Sequence, residues 1–113
     1  MNSLYNSTEQ SKIKVLAKDG ILVEWLSGLC PVQGNGWIDE KHAFYFHARH
    51  DEWYMCITQS EADKLDEALN DDGVWEYGEK YGKDPEAGYM SFIEALGFIE
   101  QSVNKFRAKQ RTR

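Results

Sequence analysis

The sequence predicts an α+β domain. It should hold an antiparallel sheet of four to five strands in a meander, a long C-terminal helix packed on one face of that sheet, and a short helix near residues 60–70. Three observations carry this expectation. Residues 43–49 and 53–58 alternate as two strands separated only by His50-Asp51-Glu52. The connections between strands are too short for parallel crossovers. Residues 91–106 carry a helical apolar stripe behind a capping signal.

The elements follow in order. Residues 1–10 are polar and unpatterned, which predicts a frayed lead-in. Residues 12–18 start as a polar–apolar alternation, Asp19-Gly20 is a hairpin-turn dipeptide, and residues 21–26 read as the return strand. A β-hairpin over 12–26 is therefore expected. Gly28, Gly34 and Gly36 weaken the next stretch and point to a bulge or a close backbone approach. Pro31 belongs at a strand start or an edge. Residues 32–38 are read as a bent strand and 39–42 as a turn.

Residues 43–49 form the clearest strand. Phe44, Phe46 and Ala48 share one face, and Tyr45, His47 and Arg49 share the other. In the following strand Trp53, Met55 and Ile57 stand together. Ser60 is a candidate N-cap for a short helix with Ala62, Leu65 and Leu69 on one side. Residues 74–90 read either as a loop or as a short edge strand followed by a loop. Ser91 and Glu94 then form a capping box. Phe92, Leu96, Ile99, Val103 and Phe106 recur at helical spacing and should cover the sheet. The basic tail follows, with residues 108–113 expected to fray.

Composition bounds the function classes. The chain has 113 residues, 42% hydrophobic and 28% charged, with four Trp, six Tyr and five Phe. That is one aromatic-rich globular domain over residues 1–113, with no need of a metal or disulfide. The N-terminal residues lack a signal-peptide pattern and no apolar run is long enough for a bilayer, so a cytoplasmic setting is expected. Cys30 and Cys56 fit it as reduced thiols. The net charge is −6. Residues 61–86 set ten acids against three lysines, whereas residues 105–113 carry five bases and no acid. Such asymmetry bears on partners rather than on fold.

Catalytic motifs are weak. Gly34-Asn35-Gly36 lacks the third glycine and the following helix of a dinucleotide loop, and no P-loop is present. His42, His47, His50, Cys30 and Cys56 lack the close pairing of a zinc site, so neither metal nor cofactor is expected. A Cys56–His47 couple has no nucleophile-elbow or protease signature around it. The acids of 61–86 read as a solvated face rather than a glycosidase pair.

The strongest functional feature is the aromatic and acidic block over residues 74–89. Trp75, Tyr77 and Tyr81 alternate there with Glu76 and Glu79, a composition suited to anchoring and steering a basic protein partner. The first expectation is thus a small acidic, non-catalytic protein-binding or regulatory module, a monomer or homodimer. In size and acidity it is analogous to immunity proteins and phage-encoded inhibitors. A second is a small-ligand or minor enzymatic pocket near His47, Trp53 and Cys56. A third is weak nucleic-acid binding through the basic tail, disfavoured by the overall negative charge. The stretch from Cys30-Pro31-Val32-Gln33 to residues 44–49 resembles small bacterial proteins of unassigned role, a resemblance that implies no activity.

Overall fold

The structure, a computed structural model, describes residues 5–59 and 74–111. The chain runs α1 (Ser7–Lys18), β1 (Ile21–Ser27), β2 (Val32–Ile38), β3 (His42–Arg49), β4 (Glu52–Thr58), β5 (Val74–Lys80), a 3-10 turn (Glu86–Tyr89) and α2 (Phe92–Arg111). The five strands form one antiparallel meander in the order β1-β2-β3-β4-β5. The expected α+β class and the long closing helix are both present. The helix expected near residues 60–70 lies outside the described residues.

Two expectations at the N-terminus are corrected. Residues 7–10 are not a frayed lead-in, and residues 12–18 are not a strand: both belong to α1. Asn6 begins it with a capping box. Its side chain accepts from the Glu9 amide at 2.8 Å, and the Glu9 carboxylate accepts from the Asn6 amide at 3.0 Å. Four residues of apparent alternation, Lys12 to Val15, are overridden by this start signal and by the helical spacing of Ile13 and Leu16. Asp19-Gly20 then ends a helix instead of turning a hairpin. Gly20 has φ +82° and its amide reaches back to Ala17 O at 3.0 Å. A helix C-terminus and a tight hairpin ask the same positive φ of glycine, so the dipeptide serves either.

The fifth strand comes from residues 74–80, which settles the open alternative there in favour of an edge strand followed by a loop. Glycines in β2 mark close backbone approach, as expected. A Cβ on Gly36 would fall on Leu22 O and press on the Phe44 ring. The β1 ladder is shifted between Val23 and Trp25, a bulge that turns Glu24 and Trp25 outward together. The tail also departs from expectation, since α2 continues through residues 108–111.

One face of the sheet makes the core. Phe44, Phe46, Ala48, Trp53, Met55 and Ile57 are buried there, and Leu96, Ile99, Val103 and Phe106 of α2 close over them. The helix begins as the capping box anticipated: Ser91 Oγ accepts from the Glu94 amide, and Glu94 accepts from the Ser91 amide. Phe92, the first member of the stripe, packs edge-on against Tyr5. Phe98 lies flat on Trp53 at 4.6 Å between centroids. α1 lies beside α2, contributing Leu16 to the same core. Lys12 and Glu100 bridge the two helices at 2.6 Å.

Arg107 fastens the far end of α2. It donates to Asp19 Oδ2 at 2.9 Å, to Asp19 O at 2.6 Å and to Asp39 Oδ1 at 2.8 Å. One side chain thus ties the helix to the α1–β1 and β2–β3 turns. No helix among the described residues is long and apolar enough to cross a membrane.

The packing has a measurable consequence. Ile99→Ala should lower unfolding free energy by about 2–5 kcal/mol in urea titration. Ile93→Ala, at a site 37% exposed, should change it by less than about 1 kcal/mol. Equal effects at the two positions would contradict the assigned helix face.

Candidate functional site

The second face of the sheet has no helix over it among the described residues. Strand alternation decides what stands there. With Phe44, Phe46 and Ala48 turned into the core, β3 must present Tyr45, His47 and Arg49 on the other side. Register then brings Gln33 opposite His47 and Asn35 opposite Tyr45. It places Tyr54 opposite His47 and Cys56 opposite Tyr45. Trp37 faces Leu22, and Trp25 faces Asn35 across the bulged edge. Leu22 is 50% and Trp25 40% exposed.

The side chains of this face are ordered by contacts among themselves. Tyr45 donates its hydroxyl to Gln33 Oε1 at 2.9 Å. His47 and Tyr54 lie 5.1 Å apart with rings 32° from parallel, and Tyr45 stands 5.9 Å from His47. At the β1 edge, Glu24 Oε1 accepts from the Trp37 indole at 3.1 Å, fixing that ring against the sheet. The result is a platform of rings and amides, held by an antiparallel ladder that is regular from β2 to β5 and bulged at β1.

Its imidazole, phenol and thiol groups are held in neutral forms near pH 7. Burial, then the Arg49 and His50 charges, lowers the His47 pKa from its ordinary 6.5. Burial raises both Tyr45 and Tyr54 above 10.0. Cys56 is pushed up to about 11 by burial first, then by the charge of Glu76 and the bond its Sγ donates to that carboxylate at 3.9 Å. Its thiolate fraction at pH 7 is therefore on the order of one in ten thousand. The Cys56 thiol is therefore not activated as a nucleophile.

The residues singled out from the sequence are divided by the sheet. Trp53 is 1% exposed on the helix side, between Phe46, Tyr77 and Phe98. His47 and Cys56 stand on the opposite face, so the expected pocket joining all three does not form. Cys56 and His47 are not paired across the ladder either. Cys30 is exposed in the β1–β2 connection beside Gly88, and both cysteines are free thiols.

The 74–89 block is split in the same way. Trp75 and Tyr77 face the helix, where Trp75 meets Phe106 edge-on and Tyr77 meets Trp53. Lys105 lies over the Tyr77 ring at 5.1 Å. The Tyr77 hydroxyl donates to Glu79, which also receives Gln101 Nε2 at 3.1 Å. Tyr81 donates to Glu94 at 2.8 Å, and burial with that bond pushes its pKa up to about 12. Four of these five side chains, Trp75, Tyr77, Glu79 and Tyr81, seal the seam between sheet and helix. Of the five, Glu76 alone stands on the second face.

The sequence also marks Tyr45 and Tyr54 as aromatics able to stack on a sheet face, and the structure places both here; the residues that sequence reasoning missed are Trp25 and Trp37. The parity of β2 carried a signal for Trp37, which stands opposite the buried positions of its strand. Trp25 is placed by the bulge, which breaks the parity of β1.

Among the described residues, no three metal-ligating side chains come together. Comparison with known proteins brings no match: no family model, curated protein or solved structure corresponds significantly to this chain.

The thiol environments predict an order of reactivity. Iodoacetamide at pH 8, followed by mass spectrometry of peptides, should label exposed Cys30 well before Cys56. Glu76→Gln should speed Cys56 labelling by no more than roughly tenfold, since the larger cause, burial, remains. Faster labelling of Cys56 than of Cys30 would contradict these environments.

Proposed function

We propose that this chain is a non-catalytic binding module that docks on another protein through the second face of its sheet, the one that α2 does not cover. The observation that carries this reading is the platform itself. Trp25, Trp37, Tyr45 and Tyr54 project from a rigid ladder with no described element over them. Trp and Tyr dominate binding energy where they are pre-ordered, because little conformational entropy is lost when a partner covers them. A cluster of aromatic side chains of this kind on the surface of a small protein marks an interaction site.

Three further features support it. The Cys56 thiol of the face is held in its protonated, poorly nucleophilic form. The net charge of −6 favours approach of a basic partner. Of the five bases in the tail, Lys105 lies over Tyr77 and Arg107 is bound by Asp19 and Asp39, which leaves a weaker basis for nucleic-acid binding through the tail. The reading retains the analogy in class to small acidic inhibitors and immunity proteins. It also places the protein in the cytosol, where Cys30 and Cys56 stay reduced.

Photo-crosslinking tests it. Benzoylphenylalanine would replace Trp25 or Tyr45 on the platform, and Val15 on the exposed side of α1 (55% exposed) as the control. In the native host lysate, the two platform positions should yield the same discrete protein adduct and position 15 should not. Adducts of equal yield at all three positions, or platform adducts confined to the chain itself, would contradict the proposal.

A further inference from the structure

The second face has a hollow at its β5 side. Tyr54 on β4 stands opposite Gly78 on β5, and a residue without a side chain leaves the tyrosine uncovered on that flank. The glycine is required by the fold, because a Cβ there would fall on Trp53 O. The hollow beside it measures about 390 Å³. Its walls include Glu52, Glu76 and Lys80, which flank the Tyr54–Gly78 pair along the two strands.

The charges of the hollow are unequally satisfied. Lys80 leans toward Asp51 at 3.4 Å and Glu52 at 3.9 Å. Glu79 is turned to the helix side and held by Tyr77 and Gln101. Glu76 makes no ion pair among the described residues, and its contact there is the weak donor Cys56 Sγ at 3.9 Å. In water this costs nothing, since Glu76 is exposed. Under a docked protein it would be a desolvated carboxylate without a counter-charge, which association tolerates poorly. A partner that covers this face must therefore bring a cation to this point.

Building on the docking reading above, we infer that the hollow receives an arginine side chain of the partner, stacked along Tyr54 and paired with Glu76. Arginine suits the place better than lysine. Its planar guanidinium can lie against a ring while its edge presents two parallel donors to a carboxylate. The partner's remaining contact, over Tyr45, Trp37 and Trp25, is then apolar or aromatic. The complementary surface is an arginine at the rim of a hydrophobic patch.

The test is an NMR titration with two blocked peptides, Ac-Leu-Arg-Leu-amide and its citrulline counterpart, which keeps the shape and removes the charge. The arginine peptide should give saturable shifts at the amides of Tyr54, Glu76 and Gly78 at millimolar concentration. Binding should weaken by about fivefold or more with citrulline, and by a similar factor in Glu76→Gln. Glu76→Gln changes an exposed side chain, and its amide spectrum doubles as the control for folding. Equal binding of the two peptides, or shifts spread over the chain's other carboxylates, would overturn the inference. So would full affinity in Glu76→Gln. If the hollow fails this test while Trp25 and Tyr45 still crosslink a partner, the docking face stands and the arginine falls. If both fail, the docking reading falls with it.

Discussion

The closing of α2 over one side of the sheet is the contact on which the rest of the molecule depends. Leu96, Ile99, Val103 and Phe106 meet a layer built from every second residue of β3 and β4. Trp53 sits at the centre of that contact, with Phe98 stacked on it from the helix and Tyr77 beside it from β5. Each buried side chain of this size is worth roughly 1.5–3 kcal/mol in area removed from water. Among the described residues the buried indole Nε1 of Trp53 finds no hydrogen-bond partner, a cost that the surrounding ring contacts must offset. Arg107 holds one end of the arrangement and the Ser91–Glu94 box the other.

Once that side is chosen as the core, the other side has no freedom. Strand alternation sends Tyr45, His47, Tyr54 and Trp37 outward because their neighbours are needed inward. The same contact explains why β5 can serve as an edge. Its Trp75 and Tyr77 belong to the seam, and its outward Glu76 and Lys80 are charged, which discourages edge-to-edge pairing. At the opposite edge, the Tyr5 hydroxyl donates to Leu26 O and accepts from Leu26 N. The aromatic platform is thus a by-product of fold geometry that also has the composition of a binding surface. Its rigidity comes from the core beneath it.

Much of this was legible in the residues. The stripe of α2 spans several turns with a capping box ahead of it, so period and start signal agree. β3 and β4 were legible because alternation and turn residues agree in each, and β2 because its glycines and Pro31 mark a bent strand. α1 was not, because residues 12–15 satisfy a two-residue period by chance and Asp19-Gly20 fits a helix end and a hairpin equally. The Asn6–Glu9 box was the overlooked signal. The site was less legible than the fold. Trp75 and Tyr77 looked like exposed anchors because a local reading sees composition and not the sheet side, which depends on pairing with Met55 and Ile57. Trp53 was grouped with His47 for the same reason, although its own strand parity with Met55 and Ile57 already assigned it to the core.

The central claim, a sheet with α2 packed on one side and no described element over the aromatic platform on the other, is tested most directly by the indole protons. In an NMR spectrum with a soluble gadolinium chelate, the account predicts strong broadening of the exposed Trp25 indole signal. The Trp53 indole proton should stay sharp and exchange slowly with deuterium. A Trp53 signal broadened as much as that of Trp25 would mean that α2 does not close the core. A Trp25 signal protected like that of Trp53 would mean that the second face is covered.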